Sequence, residues 1–136
     1  MSMTNAPALF RLILQVPDLD QAAEFYAKLL ADEGRRIPRA SRHYFDCGAV
    51  ILALVDPTPG SSSAKPIPDY IYFSVNDLEA VYLRASELGC LSTEDVHGDS
   101  AGQIAVRPWG ERSFYVKDPW GNGLCFVEEH TLFTGR

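Results

Sequence analysis

Residues 9–16 read LFRLILQV, an apolar run interrupted at Arg11 and Gln15, which predicts a short strand. Asp18 follows with Gln21 three positions on, a capping-box spacing that opens a helix. Leu19, Ala22, Ala23, Tyr26, Leu29 and Leu30 recur at helical spacing, so one face of that helix packs inward and the helix ends before Gly34. Arg35–Pro38, His43–Cys47 and Val50–Val55 then read as three strands, with a turn at Gly48. The pattern is one β-α-β-β-β unit.

Residues 57–68 (PTPGSSSAKPIP) are rich in turn formers and carry no apolar period, so they read as a connector. The plan then repeats. Asp69–Val75 reads as a strand, Asp77 caps a helix, and Leu78, Val81, Tyr82, Ala85 and Leu88 form its buried stripe before Gly89 stops it. Aligning VPDLD with VNDLE sets an offset of 59 residues, the separation of Asp18 from Asp77, and carries Arg11 onto Tyr70. The closing segment holds a strand at Phe114–Lys117, the turn Asp118-Pro119-Trp120-Gly121 and a last strand at Gly123–Val127. Asp first, Pro second and Gly fourth is a type I turn signature, which gives that motif a mechanical role. The expected architecture is α+β, a single domain over residues 8–130, with module one at 8–56, a linker at 57–68 and module two at 69–130.

Strand alternation sorts the side chains of the two opening strands. Leu12, Leu14 and Val16, like Ile71, Phe73 and Val75, face the helices. Arg11, Ile13 and Gln15, like Tyr70, Tyr72 and Ser74, share the opposite face. The second set mixes aromatic, amide, hydroxyl and guanidinium groups, which suits a ligand cavity better than a core.

The 136 residues suffice for one core, and 46% hydrophobic with 22% charged residues is a globular balance without a disordered segment. The net charge of −6 comes with scattered basic residues; the Arg35-Arg36 and Arg39–Arg42 neighbourhood lacks a phosphate-tracking stripe, so no nucleic-acid partner is expected. The first apolar run has neither a basic leader nor a cleavage site, and no membrane span is expected. Cys47, Cys90 and Cys125 form no C-x-x-C pair and no even set, which points to reduced thiols and a cytoplasmic location.

The segment Arg107–Glu129 (RPWGERSFYVKDPWGNGLCFVEE), with the two strand-then-helix openings, resembles the vicinal oxygen chelate superfamily of glyoxalases, bleomycin-resistance proteins and dioxygenases, and looks closest to its metal-free bleomycin-resistance branch. The resemblance spans Leu9–Glu129. It implies curled mixed sheets around a pocket with helices outside, and homodimers that share or complete the pocket. In metal-dependent relatives four strand positions supply His, Gln or Glu ligands to a cation that acts as a Lewis acid. Those positions fall here on Arg11, on Leu52 or a neighbour in the Val50–Val55 strand, on Tyr70 and on Cys125. Arg lacks an acceptor and Leu has no donor atom, so neither a metal nor another cofactor is expected. His43, His97 and His130 are widely spaced and read as surface or strand-end residues.

Arg11, Leu52, Tyr70, Tyr72, Trp109 and Cys125 are the candidate ligand-binding residues. Similar drug-binding proteins present an aromatic group at the P-W-G position to stack a flat ligand, and Arg11 favours an anionic one. The expected function is metal-free holding or sequestering of a small, partly aromatic molecule. The alternatives are a lyase, isomerase or dioxygenase with a relocated metal, a metal-independent catalyst using Tyr70, Tyr72 or Cys125, and an interaction module.

Overall fold

Two aspartates at equivalent places start the helices. Asp18 Oδ1 accepts the amide of Gln21 at 3.0 Å, and Asp77 Oδ1 accepts that of Ala80 at 3.1 Å. Each satisfies a donor that a first helical turn leaves open, and helix α1 follows at Leu19–Leu30 and helix α2 at Leu78–Glu87. The computed structural model describes residues 5–136.

The first module carries strands β1 (Arg11–Gln15), β2 (Arg35–Ile37), β3 (Arg42–Cys47) and β4 (Val50–Val55) in the order β1-β4-β3-β2. β1 runs parallel to β4, and the other pairs are antiparallel. The second module repeats this with β5 (Tyr70–Val75), β8 (Ala105–Val106), β9 (Arg112–Lys117) and β10 (Gly123–Glu128) in the order β5-β10-β9-β8, with β5 parallel to β10. Two tandem βαβββ modules therefore make an α+β fold. A two-stranded hairpin of β6 (Asp95–Val96) and β7 (Asp99–Ser100) is inserted after α2, where the apolar pattern gave no strand signal. The chain divides into two compact units, one of the residues up to Ala27 with Asp32–Lys65, the other of Lys28–Ala31 with Pro66–Arg136; the break between Lys65 and Pro66 falls inside the 57–68 segment.

Each module has its own apolar layer. In the first, Leu14, Val16, Tyr26, Phe45, Leu52 and Leu54 are buried, and Tyr26 meets Phe45 at a 6.4 Å centroid distance. His43 belongs to this layer rather than to the surface. It is 8% exposed, and its Nε2 lies 2.9 Å from the Glu33 carbonyl oxygen, which satisfies the imidazole inside the packing. In the second module Phe73 stacks on Phe126, Phe126 on Phe114, and Tyr82 of α2 meets Phe114 edge-on at 5.1 Å. Burying each such ring contributes about 1.5–3 kcal/mol.

The Asp118–Asn122 turn is a polar staple. Asp118, 4% exposed, accepts the amides of Trp120 and Asn122 on Oδ1 and the Asn122 side-chain amide on Oδ2, while Asn122 Oδ1 accepts the Ile67 amide at 2.9 Å. Among the described residues no helix is long and apolar enough to cross a membrane.

Candidate ligand-binding site

Register places three rows of side chains on one face of the second sheet. Tyr70, Gly123 and Lys117 form the first row, Tyr72, Cys125 and Tyr115 the second, and Ser74, Val127, Ser113 and Ala105 the third. Gly123 is where it is because a ring lies over it: a Cβ there would stand 2.5 Å from Cδ1 of Tyr70. Tyr70 meets Tyr115 edge-on at 4.9 Å, and Tyr115, Cys125 and Val127 pack with Ala101, which directly follows β7. One end of this face is thus filled by the protein's own side chains.

Arg107 packs against the β9 residues of this face. It is 2% exposed, with Nε donating to Ser113 Oγ at 3.1 Å and Nη2 donating to the carbonyls of Gln103 and Ser113 at 3.0 Å each. Its guanidinium carbon stands 5.2 Å from the Tyr115 ring centroid. Charge-assisted bonds to carbonyls gather two stretches of chain, the loop at Gln103 and strand β9 at Ser113, around one side chain.

Beside Tyr72 and Ser74 the face opens into a cavity of about 510 Å³, lined also by Trp109, Glu111, Val127, Leu132 and Phe133. Trp109 is held rather than free: its Nε1–H donates to Glu111 Oε1 at 2.6 Å. Glu111, 8% exposed, accepts the Phe133 amide on Oε2 at 3.0 Å, and Thr131 Oγ1 accepts the Arg112 amide, so the C-terminal segment is tied beside the cavity. The first module has a hollow of about 690 Å³ between the start of α1 and the β2–β3 turn. Its walls are Asp18, Asp20, Arg36, Arg39 and loop residues, without an aromatic ring, and Arg36 is paired with Asp20 at 2.8 Å.

The structure brings Tyr70, Tyr72 and Cys125 onto one face and sets Tyr72 and Trp109 in one cavity. Cys125 is fully buried, and desolvation, ahead of every other influence, pushes its thiol up to about 12. Tyr70 is likewise raised to about 12, by burial first and then by its hydrogen bond to Glu94, which its hydroxyl reaches at 3.0 Å. Both groups are protonated at neutral pH.

Arg11 and Leu52 lie in the first module, on opposite faces of its sheet. Register pairs Arg11 with Ile51 and Ile13 with Ala53, whereas Leu52 sits beside Leu12 and Phe45 in the helix-side layer and is 2% exposed. Ile51 and Ala53 therefore occupy the β4 positions on the Arg11 face. Arg11 is exposed, reaches Tyr44 Oη with Nη1 at 3.4 Å and stands over the Phe10 ring at 4.9 Å. Asp46 pairs with Arg35.

Sequence reasoning missed Glu111, Arg107 and Phe133. Glu111 had a signal in being a carboxylate two residues from Trp109; Arg107 and Phe133 had none, because Arg107 reaches carbonyls, a hydroxyl and a ring that the fold brings to it, and Phe133 is held through its backbone amide.

The positions where a divalent cation would be held do not suit one. Arg11, Ile51 and Ala53 offer no acceptor, and the Tyr70 hydroxyl is bonded to Glu94. Among the described residues no three His, Cys, Asp or Glu side chains cluster as a metal site would need.

The fold has many solved counterparts. A glyoxalase/bleomycin resistance protein from Albidiferax ferrireducens T118 superposes with a TM-score of 0.71 at 20% identity, covering 88% of this chain and 97% of that one. A lactoylglutathione lyase from Agrobacterium tumefaciens gives 0.64 at 24% identity over 90% and 94%, and the oxidase ChaP-H2 gives 0.71 at 23% over 90% and 93%. At these identities the likeness is one of fold, and function resides in the site. Among curated proteins none matches the sequence. The family model for the Glyoxalase/Bleomycin resistance protein/Dioxygenase superfamily matches residues 8–126, and the chain belongs to that superfamily.

Proposed function

We propose that this protein holds a small, flat, aromatic molecule in the cavity of its second module, without a metal. The observation that carries the reading is the Trp109–Glu111 pair. A buried carboxylate fixes the indole as one wall of a cavity whose other walls are Tyr72 and Phe133, both more than half exposed. Aromatic faces held in place bind flat ligands at low entropic cost. The charged residue that lines this cavity is Glu111, and Arg11 is not among its lining residues.

The protonated state of Tyr70 and Cys125 favours holding over proton abstraction. Homodimer formation belongs to the same reading, and Leu9, Phe10 and Ile13, exposed at and beside edge strand β1, support it. The three cysteines are free thiols, which supports a cytoplasmic location.

The test is titration with a tricyclic aromatic hydrocarbon, followed by tryptophan fluorescence, on protein purified without chelators and again after treatment with EDTA. Saturable binding of equal affinity in both samples is expected. A stoichiometric metal whose removal abolishes binding, or no saturable binding at all, overturns the reading.

A further inference from the structure

The polar groups of the cavity are unequally committed. The Trp109 indole N–H is used by Glu111, and the second Glu111 oxygen is used by the Phe133 amide. The side-chain groups left to a ligand are the hydroxyls of Tyr72, Ser74 and Thr134. Tyr72 and Ser74 stand two residues apart on one strand face.

Tyr72 is coupled to a buried partner. Its hydroxyl lies 3.3 Å from that of Tyr115, a residue 2% exposed. A buried hydroxyl needs an acceptor; the neighbours of the Tyr115 hydroxyl are the Tyr72 oxygen and the Cys125 sulfur, and the phenol oxygen is the stronger acceptor of the two. Burial also holds the Tyr115 phenol protonated well beyond the usual range, so the donor is present at every working pH. A phenol oxygen that already receives a proton directs its own elsewhere, and Tyr72 is the half of the pair that lines the cavity.

Resting on the cavity reading above, we propose that the ligand is a planar aromatic ketone or quinone, whose carbonyl oxygen accepts a hydrogen bond from Tyr72 with Tyr115 holding that hydroxyl in its donating orientation. Tyr72 is then a specificity-determining residue and Tyr115 a positioning residue. The rings provide affinity, and the hydroxyl pair selects for an oxygen acceptor.

Three tricyclic probes of nearly one shape separate the possibilities: fluorene has neither donor nor acceptor, fluorenone adds a carbonyl, and carbazole adds an N–H donor. With the full chain, fluorenone is expected to bind about fivefold to tenfold tighter than fluorene, the net effect of one neutral hydrogen bond. The fluorenone-to-fluorene ratio should fall to about one in Tyr72→Phe, fall partway in Tyr115→Phe and persist in Ser74→Ala. Equal binding of the three probes by the native protein would leave the cavity reading standing and overturn this inference. Tighter binding of carbazole than of fluorenone would reverse the polarity of the pair and overturn it too. A ratio abolished by Ser74→Ala but kept in Tyr72→Phe would move the donor to Ser74. Absence of binding by all three removes the cavity reading and the inference together.

Discussion

Trp109 and Glu111 are joined across 2.6 Å, and the same carboxylate holds the Phe133 amide at 3.0 Å, so one buried side chain sets both an aromatic wall of the cavity and the C-terminal segment beside it. Glu111→Ala strands two donors at once. It is expected to lower stability by about 1–3 kcal/mol and to weaken fluorene binding more than its stability effect alone explains. Glu111→Gln keeps an acceptor for one donor and should fall between. Urea unfolding measures the first effect, and limited proteolysis, with cleavage appearing near Leu132, reads the release of the segment. A Glu111→Ala protein whose tail resists cleavage like the native chain would contradict the shared-anchor account.

Arg107 answers to a different test, because its contacts are carbonyls, a hydroxyl and a ring rather than a carboxylate. Among the described residues its Nη1 has no partner, while Nε and Nη2 tie Gln103 and Ser113. Arg107→Lys keeps the charge but cannot span those acceptors from one planar fork. It should destabilise by about 2–4 kcal/mol, with Arg107→Ala worse, because removal leaves buried carbonyls without donors. If Arg107→Lys melts within a degree or two of the native protein, charge rather than fork geometry is what this position needs.

The strands, caps and turn were readable in the chain because each has a local cause. Asp18 and Asp77 cap their helices through amides three residues away, and the Asp118 turn is built from its own neighbours. The apolar alternation of β5 likewise placed Phe73 against Phe126 and left Tyr72 on the other side. The site was readable only where it lies on a strand. Leu52 was placed by counting from a motif, and a one-residue shift in β4 moves a side chain to the other face, which is why Ile51 and Ala53 stand there instead. Glu111, Arg107 and Phe133 depend on loops meeting in space, and no period in the sequence encodes that.

Tyr70 and Gly123 are matched by shape, the ring lying where a side chain on β10 would otherwise stand. Gly123→Ala must push Tyr70 away from Tyr115 and from Glu94, and a loss of about 1–3 kcal/mol is expected. In Tyr70→Ala the same substitution should cost far less, since the ring it displaces is gone. A double-mutant cycle read by urea unfolding checks this, and additive effects would show that Gly123 is required for its backbone instead.

Ionisation of buried thiols and phenols sets the alkaline limit. Cys125 is raised from 9.0 to about 12 and Cys90 to about 11, both chiefly by burial, and Tyr70 is raised from 10.0 to about 12. In each case the unfolded chain releases its proton first, so between the two values it binds fewer protons than the folded one and stability falls as pH rises. Stability should therefore be level toward neutral pH, begin to fall near pH 9 and continue falling to about pH 12. The Cys125 share is on the order of 4 kcal/mol at most. Cys125→Ala starts from a lower stability because it leaves a small void, yet its decline over this window should be shallower. Below that window the same burial protects the thiols: at pH 8 a thiol reagent should label Cys47, which is half-buried, and leave Cys90 and Cys125 unreacted until the chain unfolds. Equal slopes for the native protein and Cys125→Ala, or prompt labelling of all three thiols in the folded state, would show that Cys125 is reached by solvent and that its face of the sheet opens more readily than its packing implies.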